Sequence, residues 1–361
     1  MKKSVREIEN DIKEAKKSFR SYRLDMSFGE LMNLYEEDQL IISPSYQRLF
    51  RWDIHQRTRF IESLLIGIPI PTIFVSENKE GKWEVVDGLQ RLSTFFSFFG
   101  KLNMEDKDNW KMSKPELIKS LKGLTWKDLP MQSQLKLKRS TCSVEIIEYG
   151  NEDYTIKYEL FNRLNTGGTK LSEQEIRNVI YRDISEDFNK FLEEYQENPK
   201  FINLIPITEK KRNALYLEEL VLRFCSLFNN LEDIKGNLTQ YMNNFMLKTV
   251  EDIKNDPENT IIEDYRNILN RTIDLLEPLG PTIFYSKNDK GKKFSTSFYD
   301  GIMIGVSKNL DFYEKNPDKI KEKIKELKNS NEFEKYTGSV AHNKRNVVGR
   351  LTTANKIFKN D

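Results

Sequence analysis

The sequence predicts an α+β protein: a small mixed β-sheet domain followed by a mainly α-helical domain. Three observations carry that expectation. Strand-like apolar runs all lie before residue 150, a strand passes directly into a helix in "WEVVDGLQRLSTFF" (Trp83–Phe96), and beyond about residue 183 the apolar runs have helical spacing.

Taken in order, residues 4–20 carry a helix-like charge pattern, and "SFGELMNLYEE" begins with the capping box Ser27-x-x-Glu30. "LIISPSYQRLFRW" reads as a short strand that leaves through a proline into a loop holding Tyr46, Gln47, Arg48, Arg51 and Trp52. Asp53 is placed to cap the next helix, whose apolar face is Phe60, Leu64 and Leu65. "PTIFVSENKEGKWEVVDG" reads as a hairpin with strands at 72–76 and 82–86, and residues 89–99 as a helix with Leu92, Phe95, Phe96 and Phe99 at core spacing. A lysine-rich connection leads to a strand at about 141–148. A helix, a Gly-Gly loop and a second capping box, Ser172-x-x-Glu175, follow. "LYLEELVLRFCSLF" (215–228) and "IIEDYRNILNRTIDLLEPLG" are buried-helix patterns, and "SKNDKGKK" (286–293) is a polar loop. The expected division is an N-terminal helix (1–20), a mixed domain (21–182) and a helical domain (183–361).

Composition narrows the function. With 38% hydrophobic and 32% charged residues the chain is globular, and a net charge of +2 gives no global attraction to nucleic acid, so any such footprint is a local patch. Cys142 and Cys225 stand in apolar surroundings, as reduced core thiols do. The charged amino terminus does not read as a signal peptide. The longest apolar run, Leu64–Val75, is broken by Pro69 and Pro71, so no membrane span and a cytoplasmic location are expected. Two histidines, His55 and His342, are too few for a His-rich zinc site and read as solvated side chains.

Three clusters could carry chemistry. In "DGLQRLST" a helix begins directly after Asp87-Gly88, which turns amide N–H groups and the positive end of the helix dipole toward an anion. Gly88 permits close approach, and Arg91 can add a bidentate fork. Asp87 can orient water or hold a divalent cation, while Gln90, Ser93 and Thr94 add polar reach. The alternative is a simple capped junction. In "SYQRLFRW" two guanidinium groups and two aromatics share a loop, suited to phosphate and base, or else serving as surface charge and anchors. In "FNRLNTGGTKLSEQEIRN" the run Asn165, Thr166, Gly167, Gly168 can form an anion nest flanked by Arg163 and Arg177, or a plain helix cap.

Together these elements resemble the N-terminal domain of GmrSD-type restriction enzymes, also found in Ssp-type phosphorothioate-sensing defence proteins, within the ParB/sulfiredoxin-like superfamily. The resemblance rests on Tyr46-Gln47-Arg48, Trp52, "GIPIP", "VVDGLQRLST" and "FNRLNTGGTKLSEQEIRN" and covers roughly residues 20–230. It implies nucleotide binding, often with hydrolysis, in bacterial anti-phage restriction. The family's Asp-Gly-Gln-Gln-Arg signature falls on Asp87, Gly88, Leu89, Gln90 and Arg91, and its Tyr-Gln-Arg element on Tyr46, Gln47 and Arg48. Leu89 replaces a glutamine, which bears on hydrolysis more than on binding. Many relatives add an HNH nuclease; here "VAHNKRNVVGR" offers a lone His342.

The resulting expectation is an NTPase of a defence system that senses or regulates DNA targeting. Its catalytic residues would be Asp87, Gln90 and Arg91, with Mg2+ on Asp87. Phosphate would be held by Tyr46, Gln47, Arg48, Gly88, Arg91, Ser93, Thr94, Arg163, Asn165, Thr166, Gly167, Gly168 and Arg177. The expected partners are a nucleoside triphosphate, DNA directly or through a partner protein, and a second copy or a nuclease or methyltransferase. A metal-dependent DNA nuclease of the same fold and a non-catalytic DNA- or partner-recognition module are the alternatives.

Overall fold

The sheet begins where the sequence shows a two-residue alternation. In the computed structural model Phe19–Ser27 forms β1, which pairs antiparallel with β5 (Thr141–Tyr149) along its whole length, from Phe19 opposite Tyr149 to Ser27 opposite Thr141. The structure describes residues 4–359 apart from 18, 43–49, 79, 105–106, 150–153, 165–170, 182–184, 230–233, 235, 257, 287–292 and 339–341. It divides into two units, Met1–Lys170 and Leu171–Asp361. That division falls ahead of the expected boundary at 182, because the helix Glu173–Tyr181 packs with helices that follow it.

In the first unit the strands are β1, β2 (Leu40–Ile41), β3 (Ile73–Glu77), β4 (Trp83–Asp87) and β5, in the spatial order β1-β5-β3-β4-β2. β3 runs parallel to β5 and antiparallel to β4, and β2 runs parallel to β4, so the sheet is mixed as expected. The helices are α1 (Val5–Lys17), α2 (Phe28–Glu36), α3 (Ile54–Ile66), α4 (Leu89–Phe98), α5 (Met131–Arg139) and α6 (Tyr154–Leu164). Their starts follow the sequence. Ser27 Oγ accepts from the Glu30 amide at 3.1 Å, and Asp53 closes a full capping box with Gln56 on α3.

α4 supplies the centre of the core. Leu92, Phe95, Phe96 and Phe98 are fully buried, each contributing about 1.5–3 kcal/mol of burial. Phe95 packs on Phe28 of α2 and on Phe99 at centroid distances of 5.0 and 4.7 Å. α1 keeps Val5, Ile8 and Ile12 exposed.

The second unit is helical: α7 (Glu173–Tyr181), α8 (Glu186–Glu194), α9 (Pro199–Leu204), α10 (Glu209–Asn213), α11 (Tyr216–Phe228), α12 (Leu238–Lys254), α13 (Thr260–Leu276), α14 (Thr296–Ser307), α15 (Leu310–Lys315), α16 (Pro317–Asn329), α17 (Asn331–Glu334) and α18 (Lys344–Phe358). The Ser172–Glu175 box forms on α7, with the Glu175 amide donating to Ser172 Oγ at 3.2 Å and the Ser172 amide to Glu175 Oε2 at 2.6 Å. α14 is buried along its length, and it packs closely on α18 because Gly305 stands where a Cβ would strike the Phe358 ring. At its centre Asp300 receives two guanidinium groups: Arg223 donates to both its oxygens, and Arg350 donates to Oδ2. Arg350 thus turns inward, whereas its sequence neighbours Lys344 and Arg345 are exposed. Cys142 and Cys225 are buried and unbridged, as expected, and burial pushes the Cys142 thiol up to about 12. Among the described residues no helix is long and apolar enough to cross a membrane.

Candidate phosphate site at the end of β4

β4 delivers Asp87 to the end of the sheet, opposite Phe74 of β3. The chain then turns through Gly88 at φ 106°, in the left-handed region, and α4 begins at Leu89 with no side chain capping its first amides. Glycine is required twice over: a Cβ here would be strained, and it would lie 3.0 Å from Ile73 Cγ1. The sharp turn is what lets a buried strand hand over to a buried helix within a single residue.

Asp87 and Arg91 form an ion pair across one helical turn, with Arg91 Nη2 2.7 Å from Asp87 Oδ2. The Arg91 guanidinium also donates to the carbonyl oxygens of Pro71 and, at 3.3 Å, Thr72. Both side chains are mostly covered, at 21% exposure for Asp87 and 12% for Arg91. Burial raises the Asp87 carboxyl above its ordinary range, against the opposing pull of Arg91 and of the Gly88 amide. The junction is therefore a half-buried carboxylate with heightened basicity beside a guanidinium that already spans three oxygens.

Gln90 faces the loop that precedes α3. Its Oε1 accepts from the amides of Arg51 (2.9 Å) and Trp52 (3.0 Å). That loop end is pinned from its other side too. Arg57 donates to the Trp52 carbonyl at 2.8 Å and stacks on Phe50 at 4.2 Å, and Lys107 donates to the Phe50 carbonyl at 2.8 Å. The Trp52 ring packs edge-on against Phe60 at 5.7 Å, as an anchor. Tyr46, Gln47 and Arg48 lie outside the described residues, but the residues just after them are fastened to the first turn of α4.

Ser93 and Thr94 are fully buried with hydroxyls that have no hydrogen-bond partner, so they do not extend toward a surface ligand; the polar reach expected of them is corrected by their inward placement in the core helix. Arg163, on α6 which packs against β4, is 77% exposed and 3.6 Å from Glu159. Arg177 belongs to the second unit, fully buried, donating to Asn243 Oδ1 at 2.7 Å and Gln174 Oε1 at 3.1 Å with Glu173 alongside. Its guanidinium there organises a core, which is a correction to its expected role at a phosphate loop. Asn165, Thr166, Gly167 and Gly168 lie outside the described residues. Leu89, at 6% exposure, fills the core where the related signature has an amide.

Sequence reasoning missed the use of Gln90 as a latch and the Pro71 and Thr72 carbonyls as anchors for Arg91. The i,i+4 spacing of Asp87 and Arg91 was the available signal for the ion pair. Among the described residues no group of three or more His, Cys, Asp or Glu could hold a metal ion. Asp87 alone fits a cation only in the manner of Mg2+, which takes one carboxylate together with phosphate oxygens and water.

Residues 28–182 match the family described as the GmrSD restriction endonuclease, N-terminal domain. That stretch, less than half of the chain, is similar to this domain, whose description is that of a restriction endonuclease. Comparisons with curated proteins and with solved structures gave no match.

Proposed function

We propose that this GmrSD-type domain binds a nucleoside triphosphate at the Asp87–Arg91 junction and hydrolyses it, so as to sense or regulate DNA targeting in an anti-phage restriction system. The observation that carries the reading is the Gln90 latch, which fastens the end of the Tyr-Gln-Arg loop to the same helical turn that holds Gly88 and Arg91. The residues that follow Tyr46-Gln47-Arg48 are thereby joined to the start of α4.

The uncapped amides of α4 meet an incoming phosphate first. Arg91 exchanges its bond to Asp87 for one to phosphate while its carbonyl contacts keep the guanidinium in place. Asp87, released from its counter-ion and more basic than a surface carboxylate, accepts a hydrogen bond from water and orients it. Mg2+ bound at Asp87 would supply charge neutralisation on the phosphate oxygens. Positioning and electrostatics of this kind suit phosphoryl chemistry, in which the protein forms no covalent bond.

Binding without turnover is the second reading. Leu89 is in the core and the Gln90 oxygen is occupied by two amides, so the side-chain amide oxygen most suited to steering a water is already committed. Phosphate release from the purified chain, tested with each nucleoside triphosphate and Mg2+, separates the two. Turnover that disappears in Asp87→Asn supports hydrolysis. Saturable binding with no release supports a binding module, and wild-type behaviour of Asp87→Asn and Arg91→Ala in both assays would rule out the junction.

A further inference from the structure

The stretch between α4 and β5 is strongly basic. Residues 111–139 hold eight basic residues against two acidic ones, a net of +6 in a chain whose total is +2, so the remainder carries −4. All eight (Lys111, Lys114, Lys119, Lys122, Lys127, Lys136, Lys138 and Arg139) are exposed. The two acids are already engaged: Glu116 lies beside His55 (3.4 Å) and Arg59 (3.7 Å), and Asp128 accepts from the amide and hydroxyl of Thr125 at 2.8 and 2.7 Å. Among the described residues none of the eight cations makes an ion pair. Some surface cations elsewhere are matched: on α16 Lys319 pairs with Glu322 and Lys323 with Glu326, and on α13 Arg271 pairs with Asp311 and Glu314.

This charge sits on a fixed scaffold. The buried Glu62 of α3 accepts from the amides of Glu116, Leu117 and Ile118, and these bonds hold its carboxyl below the usual range although burial alone would raise it. The Ser113 amide donates to Thr58 Oγ1 at 2.9 Å, Met112 exchanges backbone bonds with Gly123 and Leu124, and the Trp126 ring packs on Phe99 at 4.9 Å. On α5, Gln132, Lys136 and Arg139 stand on one helical side and, with Gly67–Ile70, line a groove of about 840 Å³. The carboxylate lining it, Asp25, already accepts from Ser143 Oγ at 2.6 Å. The groove shares a sheet end with the phosphate site, since Ile73 pairs with Val144 at the start of β5 while its neighbour Phe74 pairs with Asp87.

We propose that the 111–139 segment, with Lys136 and Arg139 at its groove, binds the phosphate backbone of duplex DNA without reading sequence. Unpaired exposed cations on a rigid frame are what counter-ion release from a polyanion requires. A duplex is favoured over a single strand because Trp126, the one aromatic of the stretch, and Trp110 just before it are packed against Phe99 and Phe98 and offer no stacking platform for bases. The proposal deepens the DNA-targeting part of the function above and is independent of nucleotide turnover.

The test is titration of a labelled duplex of random sequence with the full chain over a range of salt. The variant carries Lys119→Gln, Lys122→Gln, Lys136→Gln and Arg139→Gln; Lys319→Gln with Lys323→Gln on α16 is the control. The wild type should bind with a steep salt slope. The variant's slope should shrink by about 0.9 for each lost contact, so by about 3 to 4, with affinity at least about tenfold lower at low salt and an unchanged melting temperature. The control should match the wild type. Absent duplex binding by the wild type, equal binding by the variant, an equal loss in the control, or preference for polyglutamate over duplex would each overturn it. A nucleotide-induced melting shift measured on the same proteins keeps the two proposals apart: a shift retained without DNA binding contradicts this one alone.

Discussion

Arg91 shows how little of this site is spare. Its guanidinium serves Asp87, Pro71 and Thr72 together, a geometry that a lysine ammonium on a flexible stem cannot reproduce. Arg91→Lys should therefore keep the charge yet weaken nucleotide binding nearly as much as Arg91→Ala, as read by calorimetry. Gly88→Ala should destabilise the first unit by about 1–3 kcal/mol in denaturant melts, because the left-handed backbone and the Ile73 contact both oppose a Cβ. Asp87-Gly88 and Arg91 were legible as a local motif, since a strand ending in glycine before an apolar helix leaves few other geometries. The partners of Arg91 were not legible, because Pro71 and Thr72 approach it only through the fold.

At the scale of elements, the Gln90 latch ties α4 to the residues just before α3. Gln90→Ala leaves the part-buried amides of Arg51 and Trp52 without their acceptor. It should lower stability by about 1–3 kcal/mol and weaken nucleotide binding without touching phosphate chemistry directly. Unchanged stability and affinity would remove the latch from the account. The α4 core face, the Ser27 cap, the Ser172–Glu175 box and the β3–β4 hairpin were readable from periodicity and caps. β1 was not assigned, although Tyr22, Leu24 and Met26 alternate with Ser21, Arg23 and Asp25; the charged residues among them and a helix-like segment just before masked a period of two. Gln90 read as a catalyst because its type suited one. Only the tertiary position of Arg51 and Trp52 reveals a positioning group.

For the whole molecule, the two units can be followed separately, because all four tryptophans (Trp52, Trp83, Trp110, Trp126) belong to the first. In the second, Asp300 neutralises two buried guanidinium groups, so Asp300→Ala should destabilise that unit by about 3–5 kcal/mol, seen in helical circular dichroism. Burial alone would raise the Asp300 carboxyl, but Arg223 and Arg350 hold it below its ordinary value. Its stabilisation is therefore present above the unfolded value, about 4, and is lost as pH falls toward the depressed folded one. Asp300→Asn should lack that acid limb. The charge contrast between residues 111–139 and the rest was visible in sequence as a lysine-rich connection, but its meaning depended on which acids were already engaged, and that is a property of the fold.

The central claim is that the Asp87–Arg91 junction holds the phosphates of a nucleotide. Calorimetric titration of the full chain and of Arg91→Ala with nucleoside triphosphates in the presence of Mg2+ tests it most directly. The account predicts saturable binding by the wild type and at least about tenfold weaker binding by the variant, a loss of about 1.4 kcal/mol or more. Equal affinity in a variant that melts like the wild type would contradict it.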